Sequence, residues 1–224
     1  MSFSPASSHR LPRLPRAVVF DLDGTLIDSE AMVREGYMAA AHHFGVSFTD
    51  DDFLSLIGLH RAANDARMQS LLGPDFPLED FYAAVTARIG DRSAPLKPGA
   101  SEILDLLDAR GLPFALATSS GPDWVNRHFT AHDLHRRFQH VVTRDDVANR
   151  KPHPEPYLKA ATALGVDPTN ILALEDSPTG FASASSAGMM TVLIPDLLQP
   201  DDDLRARACL IGTSLHDVLT LLEA

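Results

Sequence analysis

Cysteine is nearly absent from this chain. Its 224 residues include a single cysteine, Cys209. One cysteine excludes a disulfide bond within the chain and a metal site built from several thiolates. A chain without a disulfide framework suits a reducing compartment, and we therefore expect the protein to be cytoplasmic.

Long apolar runs and clusters of basic residues are missing as well. No window reaches about 18 consecutive apolar residues, the length that predicts a membrane-spanning helix. The formal net charge is −11, and the sequence contains no basic stripe. Neither nucleic acid nor a membrane is therefore expected as a partner. Hydrophobic residues make up 45% and charged residues 22%, a balance typical of a globular protein.

Lysine is the scarcest charged residue. Only Lys97, Lys151 and Lys159 accompany sixteen arginines. The ammonium group of a lysine is a compact point charge, which suits a position between a carboxylate and a phosphate. Lys151 is the candidate for such a position among the three, because it lies in a loop after a predicted short strand at 140–143.

The pattern of the chain predicts a tail, an α/β core and a helical insertion. Residues 1–15 are rich in serine, proline and arginine but have no apolar centre, so they predict a flexible N-terminal tail rather than a secretory signal. From residue 97 onward strands alternate with helices, which predicts a doubly wound parallel sheet with helices on both faces. Residues 29–96 are helical throughout, and a connection of this length predicts an inserted all-helical cap subdomain. The α/β core then comprises residues 16–28 and 97–224.

Two aspartates follow the first predicted strand. The apolar run Val18-Val19-Phe20 ends in Asp21 and Asp23, which are one residue apart. The carboxyl ends of strands are where open α/β sheets bind their ligands, and carboxylate oxygens suit a hard cation such as Mg²⁺. An ordinary turn also favours Asp and Gly, so this stretch alone leaves both interpretations open.

Polar side chains follow the other predicted strands at the same relative position. Thr118 and Ser119 end the second strand, Lys151 lies in the loop after the third, and Glu175 and Asp176 end the fourth. The carboxyl ends of parallel strands meet at one edge of the sheet, so we expect these side chains to converge with the two aspartates.

These residues resemble the motifs of a known family, the haloacid dehalogenase superfamily. The four motifs occur in the family's order between Val18 and about Ile194: Asp21-x-Asp23-Gly24-Thr25, the apolar run to Thr118, Lys151-Pro152, and Glu175-Asp176-Ser177-x-x-Gly180. The helical insertion resembles the cap of the branch that contains phosphoglycolate phosphatase and β-phosphoglucomutase. An ordered set of four motifs is far more specific than any one of them.

The resemblance implies phosphoryl transfer through an aspartyl phosphate. Asp21 would be the nucleophile, since a carboxylate with an ordinary pKa of about 3.9 is ionised at neutral pH without a neighbouring base. Asp23 would protonate the leaving oxygen and later take a proton from water. Dehalogenases of the superfamily lack an acid at that position, so Asp23 favours phosphate over halide. Mg²⁺ would be held by Asp21, by Asp176 and by the backbone carbonyl of Asp23.

Four further residues complete the implied site. Lys151 would add positive charge near the phosphate, and Glu175 would hold its ammonium group in place. Thr118 and backbone amides such as that of Ser119 would bind phosphoryl oxygens together with Lys151. Phosphoryl transfer depends chiefly on positioning and charge stabilisation of this kind.

The cap contains the candidate specificity residues Gly58, His60 and Arg61. By resemblance, this loop dips into the active site and contacts the leaving group, although a solvated loop explains the same residues. Trp124, the single tryptophan, comes early in a core helix and is expected to serve in packing.

The leading prediction is a Mg²⁺-dependent phosphatase that hydrolyses a small phosphorylated metabolite, either a sugar phosphate or phosphoglycolate. One alternative is a sugar phosphomutase of the β-phosphoglucomutase type, which uses the same core. Another is a non-enzymatic domain similar to a response-regulator receiver, which also combines clustered acids, Thr or Ser and Lys on a doubly wound sheet. The sequence indicates no particular oligomeric state, and a monomer is plausible.

Overall fold

A computed structural model describes residues 11–57, 59, 61–197 and 199–223. The chain divides into two compact units, one of Met1–Ile27 with Leu96–Ala224 and the other of Asp28–Pro95. This division lies one residue before each end of the predicted cap, 29–96. Of the predicted tail, residues 1–10 lie outside the described residues, and residues 11–15 form neither helix nor strand.

The first unit is built on a six-stranded parallel sheet. Its strands are β1 Ala17–Phe20, β2 Phe114–Ala117, β3 His140–Val142, β4 Ile171–Glu175, β5 Met190–Leu193 and β6 Leu210–Ile211. Their order is β3-β2-β1-β4-β5-β6, and each neighbouring pair is parallel. Strands β2 and β3 thus lie on one side of β1, and strands β4, β5 and β6 lie on the other. The predicted doubly wound α/β fold is confirmed.

Helices cover both faces of this sheet. They are α5 Ala100–Ala109, α6 Pro122–Ala131, α7 Glu155–Leu164, α8 Pro178–Ser186, α9 Asp202–Arg207 and α10 Leu215–Glu223; the helices α1 to α4 belong to the second unit. One face buries Val19 and Ala173 of the strands against Tyr157 of α7 and Ala184 of α8. On β1 the neighbouring side chain Phe20 lies edge-on against the rings of Phe114 and Phe138. Adjacent residues of a buried strand thus pack against different neighbours.

The register of the sheet aligns the ends of its central strands. Phe20 pairs with Leu116 on one side and with Leu174 on the other. Asp21, the next residue, therefore lies level with the last residues of β2 and β4, and its amide donates to the carbonyl of Leu174 at 3.0 Å. The polar residues that follow these strands consequently gather at one edge.

Two short contacts bring together the points where the chain leaves and rejoins the first unit. Ile27 forms an isolated antiparallel bridge with Leu96, and the amide of Lys97 donates to the carbonyl of Leu26 at 3.0 Å. The insertion therefore starts and finishes at adjacent backbone positions.

The described residues of the second unit form four helices around an aromatic centre. They are α1 Ser29–Phe44, α2 Asp50–Leu54, α3 Arg61–Leu72 and α4 Leu78–Ile89. Phe81 is fully buried, and its ring contacts those of Tyr37, Phe44, Phe48, Phe76 and Tyr82. Aromatic pairs of this kind add stability beyond the area that they bury. Across the described part of the chain, no helix has both the length and the apolar character needed to cross a membrane.

Phe81→Ala should destabilise the helical unit strongly. Removing a buried phenylalanine costs about 3–5 kcal/mol, because the neighbouring rings lose their contacts and a cavity remains. Urea unfolding followed by circular dichroism measures the loss. Thr86→Ala, at an exposed position of the same helix, is the matched control and should change the free energy of unfolding by less than about 0.5 kcal/mol. Equal effects of the two variants would contradict the assigned centre of the unit.

Candidate active site

A lysine lies between two carboxylates at the carboxyl edge of the sheet. The Nζ atom of Lys151 is 2.6 Å from Oδ1 of Asp21 and 2.6 Å from Oε1 of Glu175. The side chain of Lys151 is 5% exposed, and those of its partners are 8% and 0% exposed. Buried charges of this kind persist only when they are paired and hydrogen-bonded. The structure thus brings together three residues that are far apart in the chain.

Tyr157 is a fourth member of this network that the sequence interpretation missed. Its hydroxyl donates to Oε1 of Glu175 at 2.5 Å and lies 3.4 Å from Nζ of Lys151. The ammonium group is also 5.0 Å from the centre of the Tyr157 ring. Tyr157 is fully buried in the first turn of α7, six residues after Lys151. The signal available in the sequence was that Tyr157 follows Lys151 closely in the chain.

Two other residues of the fourth motif, Ser177 and Gly180, fix the place of the carboxylate of Glu175. A Cβ atom at Gly180 would lie 2.0 Å from that carboxylate, so only glycine fits there. Ser177 donates to Oε2 of Glu175 at 3.3 Å, while its hydroxyl oxygen caps α8 by accepting from the amide of Gly180. Both oxygens of Glu175 therefore accept hydrogen bonds from the protein. This favours Glu175 as the support of Lys151.

Burial and charge shift the pKa values of this network. Burial disfavours the charge of Lys151, but the carboxylates of Asp21 and Glu175 outweigh it and raise the pKa of the ammonium group. Burial also raises the pKa of Asp21 to about 8, with help from Glu175 and Asp23 and against the attraction of Lys151. Further positive charge near Asp21 would favour its ionised form.

Three carboxylates lie close enough to share a cation. Oxygen atoms of Asp21, Glu175 and Asp176 are all within 4.8 Å of one another. Gly24, which adopts a φ of +80°, leaves room for Asp176, because a Cβ atom there would lie 2.2 Å from its Oδ2. An all-oxygen donor set of this type suits a hard divalent cation such as Mg²⁺. The residues present thus fit the metal that the sequence motifs imply.

Asp23 has different partners from Asp21. The hydroxyl of Ser120 donates to its Oδ2 at 2.5 Å, and the indole Nε1 of Trp124 donates to its Oδ1 at 2.8 Å. The expectation that Trp124 serves only in packing is therefore wrong. Its position was a usable signal, because Pro122 starts a helix directly after a strand end, and the first turn of that helix lies beside the site.

The loop after β2 carries the predicted phosphate-binding residues. Thr118 is buried, and its hydroxyl oxygen accepts from the amide of Ser120 at 3.0 Å. Ser119 is exposed and lines an open cavity of about 370 Å³, which is also lined by Arg127 and Arg144. The loop thus offers hydroxyl and amide groups beside the carboxylates.

The predicted specificity loop is described only in part. Gly58 and His60 lie outside the described residues. Arg61 is described, and its guanidinium binds the carboxylates of Asp65 and Glu79 and lies over the ring of Tyr82. These contacts all lie within the helical unit, so a role for Arg61 towards a substrate stays a prediction.

Comparison with known proteins places the chain among hydrolases. The profile of the haloacid dehalogenase-like hydrolases matches residues 18–194. A phosphorylated carbohydrates phosphatase of Thermotoga maritima is 31% identical over 176 residues, which cover 77% of this chain and 82% of that protein. Hexitol phosphatase B of Escherichia coli is 31% identical over 191 residues, covering 82% and 85%. A crystal structure of a candidate β-phosphoglucomutase from Thermotoga maritima has a TM-score of 0.77 at 29% identity, covering 92% and 98%.

Gly24→Ala should destabilise the protein more than Gly111→Ala. Both glycines have positive φ, and alanine in such a conformation costs about 1–2 kcal/mol. A Cβ atom at Gly111 meets nothing within 4 Å, whereas one at Gly24 meets Asp176. The clash should cost the Gly24 variant about 1–3 kcal/mol more. Denaturant unfolding measures the difference, and equal losses would contradict the close approach of Asp176.

Proposed function

Because the chain belongs to the haloacid dehalogenase-like hydrolases, we propose that it is a Mg²⁺-dependent phosphatase that hydrolyses a small phosphomonoester, a sugar phosphate or phosphoglycolate, through an aspartyl phosphate. The observation that carries the proposal is the buried contact of Asp21 with Lys151, beside the carboxylate of Asp176. Relatives named as phosphatases of phosphorylated carbohydrates and hexitols support a sugar phosphate as the substrate.

In the first step a carboxylate oxygen of Asp21 attacks phosphorus. A bond forms between this oxygen and phosphorus, and the bond from phosphorus to the leaving oxygen breaks. Asp23 gives its proton to the leaving oxygen, which departs as an alcohol. Lys151 offsets the negative charge of the phosphoryl group. Thr118 accepts a hydrogen bond through its oxygen, so its own proton can be donated to a phosphoryl oxygen.

In the second step water hydrolyses the aspartyl phosphate. Asp23, left without its proton by the first step, takes a proton from the attacking water. The bond from phosphorus to Asp21 then breaks, and the carboxylate is restored. One residue serves both steps because each leaves it in the protonation state that the other requires.

Asp21 and Asp176 would hold the cation through their carboxylates, and Asp23 through its backbone carbonyl. A Mg²⁺ ion bound there would supply positive charge that offsets the repulsion between Asp21 and the phosphate. The surplus of carboxylates over ammonium groups at this edge supports a metal requirement.

The likeness to a candidate β-phosphoglucomutase favours a sugar phosphomutase as the second candidate function. A mutase would return the phosphoryl group from Asp21 to a second hydroxyl of the bound sugar instead of to water. The non-enzymatic alternative is wrong, because the chain belongs to a family of hydrolases.

Asp21→Asn should reduce turnover of sugar phosphates by at least about 1,000-fold, the scale on which loss of a covalent nucleophile acts. The amide oxygen can still accept from Lys151, so the fold should persist. A screen of sugar phosphates, phosphoglycolate and p-nitrophenyl phosphate with Mg²⁺ measures released phosphate. Asp133→Asn is the matched control, since this exposed aspartate has a φ of 52° that asparagine also tolerates. Turnover retained by the Asp21 variant would overturn the mechanism, and isomerisation of glucose 1-phosphate without released phosphate would favour the mutase.

Removal of divalent cations with EDTA should abolish phosphate release, and added Mg²⁺ should restore it. Asp176→Asn should raise the Mg²⁺ concentration for half-maximal activity by at least about tenfold, because one anionic ligand is lost. Mg²⁺ alone should also raise the melting temperature of the unmodified protein and of Asp133→Asn more than that of the Asp176 variant. Full activity in EDTA would contradict the proposed metal site.

A further inference from the structure

We propose that Trp124 is a positioning residue for Asp23, holding its carboxyl group through the indole N–H while Asp23 cycles between its protonated and ionised forms. This inference rests on the proposed function, in which Asp23 is the acid and then the base. It assigns a second task to the single tryptophan of the chain.

Two donors to Asp23 among the described residues bind different oxygens and come from different elements. Trp124 lies in the first turn of α6 and contacts Oδ1, while Ser120 lies in the loop before that helix and contacts Oδ2. A single donor would leave the carboxyl group free to rotate about the contact. Donors to both oxygens fix the plane of the group and the direction in which its remaining lone pairs point.

Trp124 is itself held in place by neighbouring side chains of its helix. His128 is fully buried, its ring centre lies 4.5 Å from that of Trp124, and its Nδ1 is 2.8 Å from the carbonyl oxygen of Trp124. A carbonyl only accepts, so this nitrogen carries the proton, and burial lowers the pKa of His128 and keeps the ring neutral. The guanidinium of Arg127 lies 5.6 Å from the indole ring. The N–H is therefore offered in a defined direction.

Indole suits this task because its N–H is only a donor. A histidine or a carboxylic acid beside Asp23 could take up the proton that the reaction transfers. The indole nitrogen neither accepts that proton nor loses its own at physiological pH. Each carboxyl oxygen has two lone-pair positions, so the hydrogen bond to Oδ1 can remain whether or not Asp23 carries a proton. Orientation and proton transfer are thus assigned to different groups.

Substrates whose leaving groups differ in their need for a proton distinguish this role from a structural one. The alkoxide of a sugar phosphate is a poor leaving group and needs the proton of Asp23, whereas p-nitrophenolate departs readily without it. Trp124→Phe keeps an aromatic ring and removes the N–H. It should lower kcat/KM, which covers the reaction only through formation of the aspartyl phosphate, by about 10- to 100-fold for the sugar phosphate and by less than about threefold for p-nitrophenyl phosphate, since general acid catalysis contributes about 10²- to 10⁴-fold.

A second pair of variants lacks the carboxyl group of Asp23. In the Asp23→Ala background, adding Trp124→Phe should leave the remaining activity toward either substrate unchanged, because no carboxyl group is left to position. A loss that persists in this background, or equal losses of kcat/KM for both substrates with Asp23 present, would overturn the inference. Each result is compared with Arg127→Leu, which removes the guanidinium near the ring but keeps the indole N–H.

The hydrogen bond can also be observed without any turnover. The chain contains one tryptophan, so a ¹H–¹⁵N spectrum contains one indole N–H signal. We expect this signal to move upfield and to exchange faster with solvent in Asp23→Ala than in the unmodified protein. An unmoved signal would overturn the positioning role. The protein could also prove inactive on every phosphomonoester while its indole signal still responds to Asp23→Ala. That result would overturn the proposed function but leave the contact between Trp124 and Asp23 intact.

Discussion

The ammonium group of Lys151 is the feature on which the arrangement of the site depends. It donates to the carboxylates of Asp21 and Glu175 at 2.6 Å each, in a place where an unpaired charge would be very unfavourable. The surrounding residues follow from this pairing. Tyr157 and Ser177 donate to Glu175, and the absence of a side chain at Gly180 leaves room for its carboxylate. A lysine in a loop can thus occupy one defined position because residues from two other elements constrain its partner.

Two aspartates of one short motif are placed in different electrostatic surroundings. Asp21 faces a cation and further carboxylates, whereas two neutral donors in the described part of the chain, Ser120 and Trp124, bind Asp23. A group that binds metal and attacks phosphorus benefits from strong positive charge. A group that must gain and lose a proton is better served by neutral donors, which hold it without fixing its charge. The division of tasks proposed for these residues therefore agrees with their surroundings.

Much of the fold could be predicted because its signals are local and repeated. Buried parallel strands read as apolar runs such as Val18-Val19-Phe20, and short helices between them leave few other topologies. The convergence of Asp21, Lys151 and Glu175 followed from the same rule, since each comes at or after a strand end. Tyr157 and Trp124 could not be found in this way. Both lie in the first turn of a helix beside the site, and this position was the usable signal. Which side chain of that turn points back to the sheet edge depends on the direction in which the helix approaches.

The pairing of Ile27 with Leu96 has a consequence for how such proteins can diversify. Where a chain leaves and re-enters a fold at adjacent backbone positions, the intervening segment can change in length or sequence without moving the strands on either side. The 68 residues from Asp28 to Pro95 thus form a cassette inserted at one point of the unit that contains the sheet. Exchange of that cassette would leave the groups at the carboxyl edge of the sheet in their places.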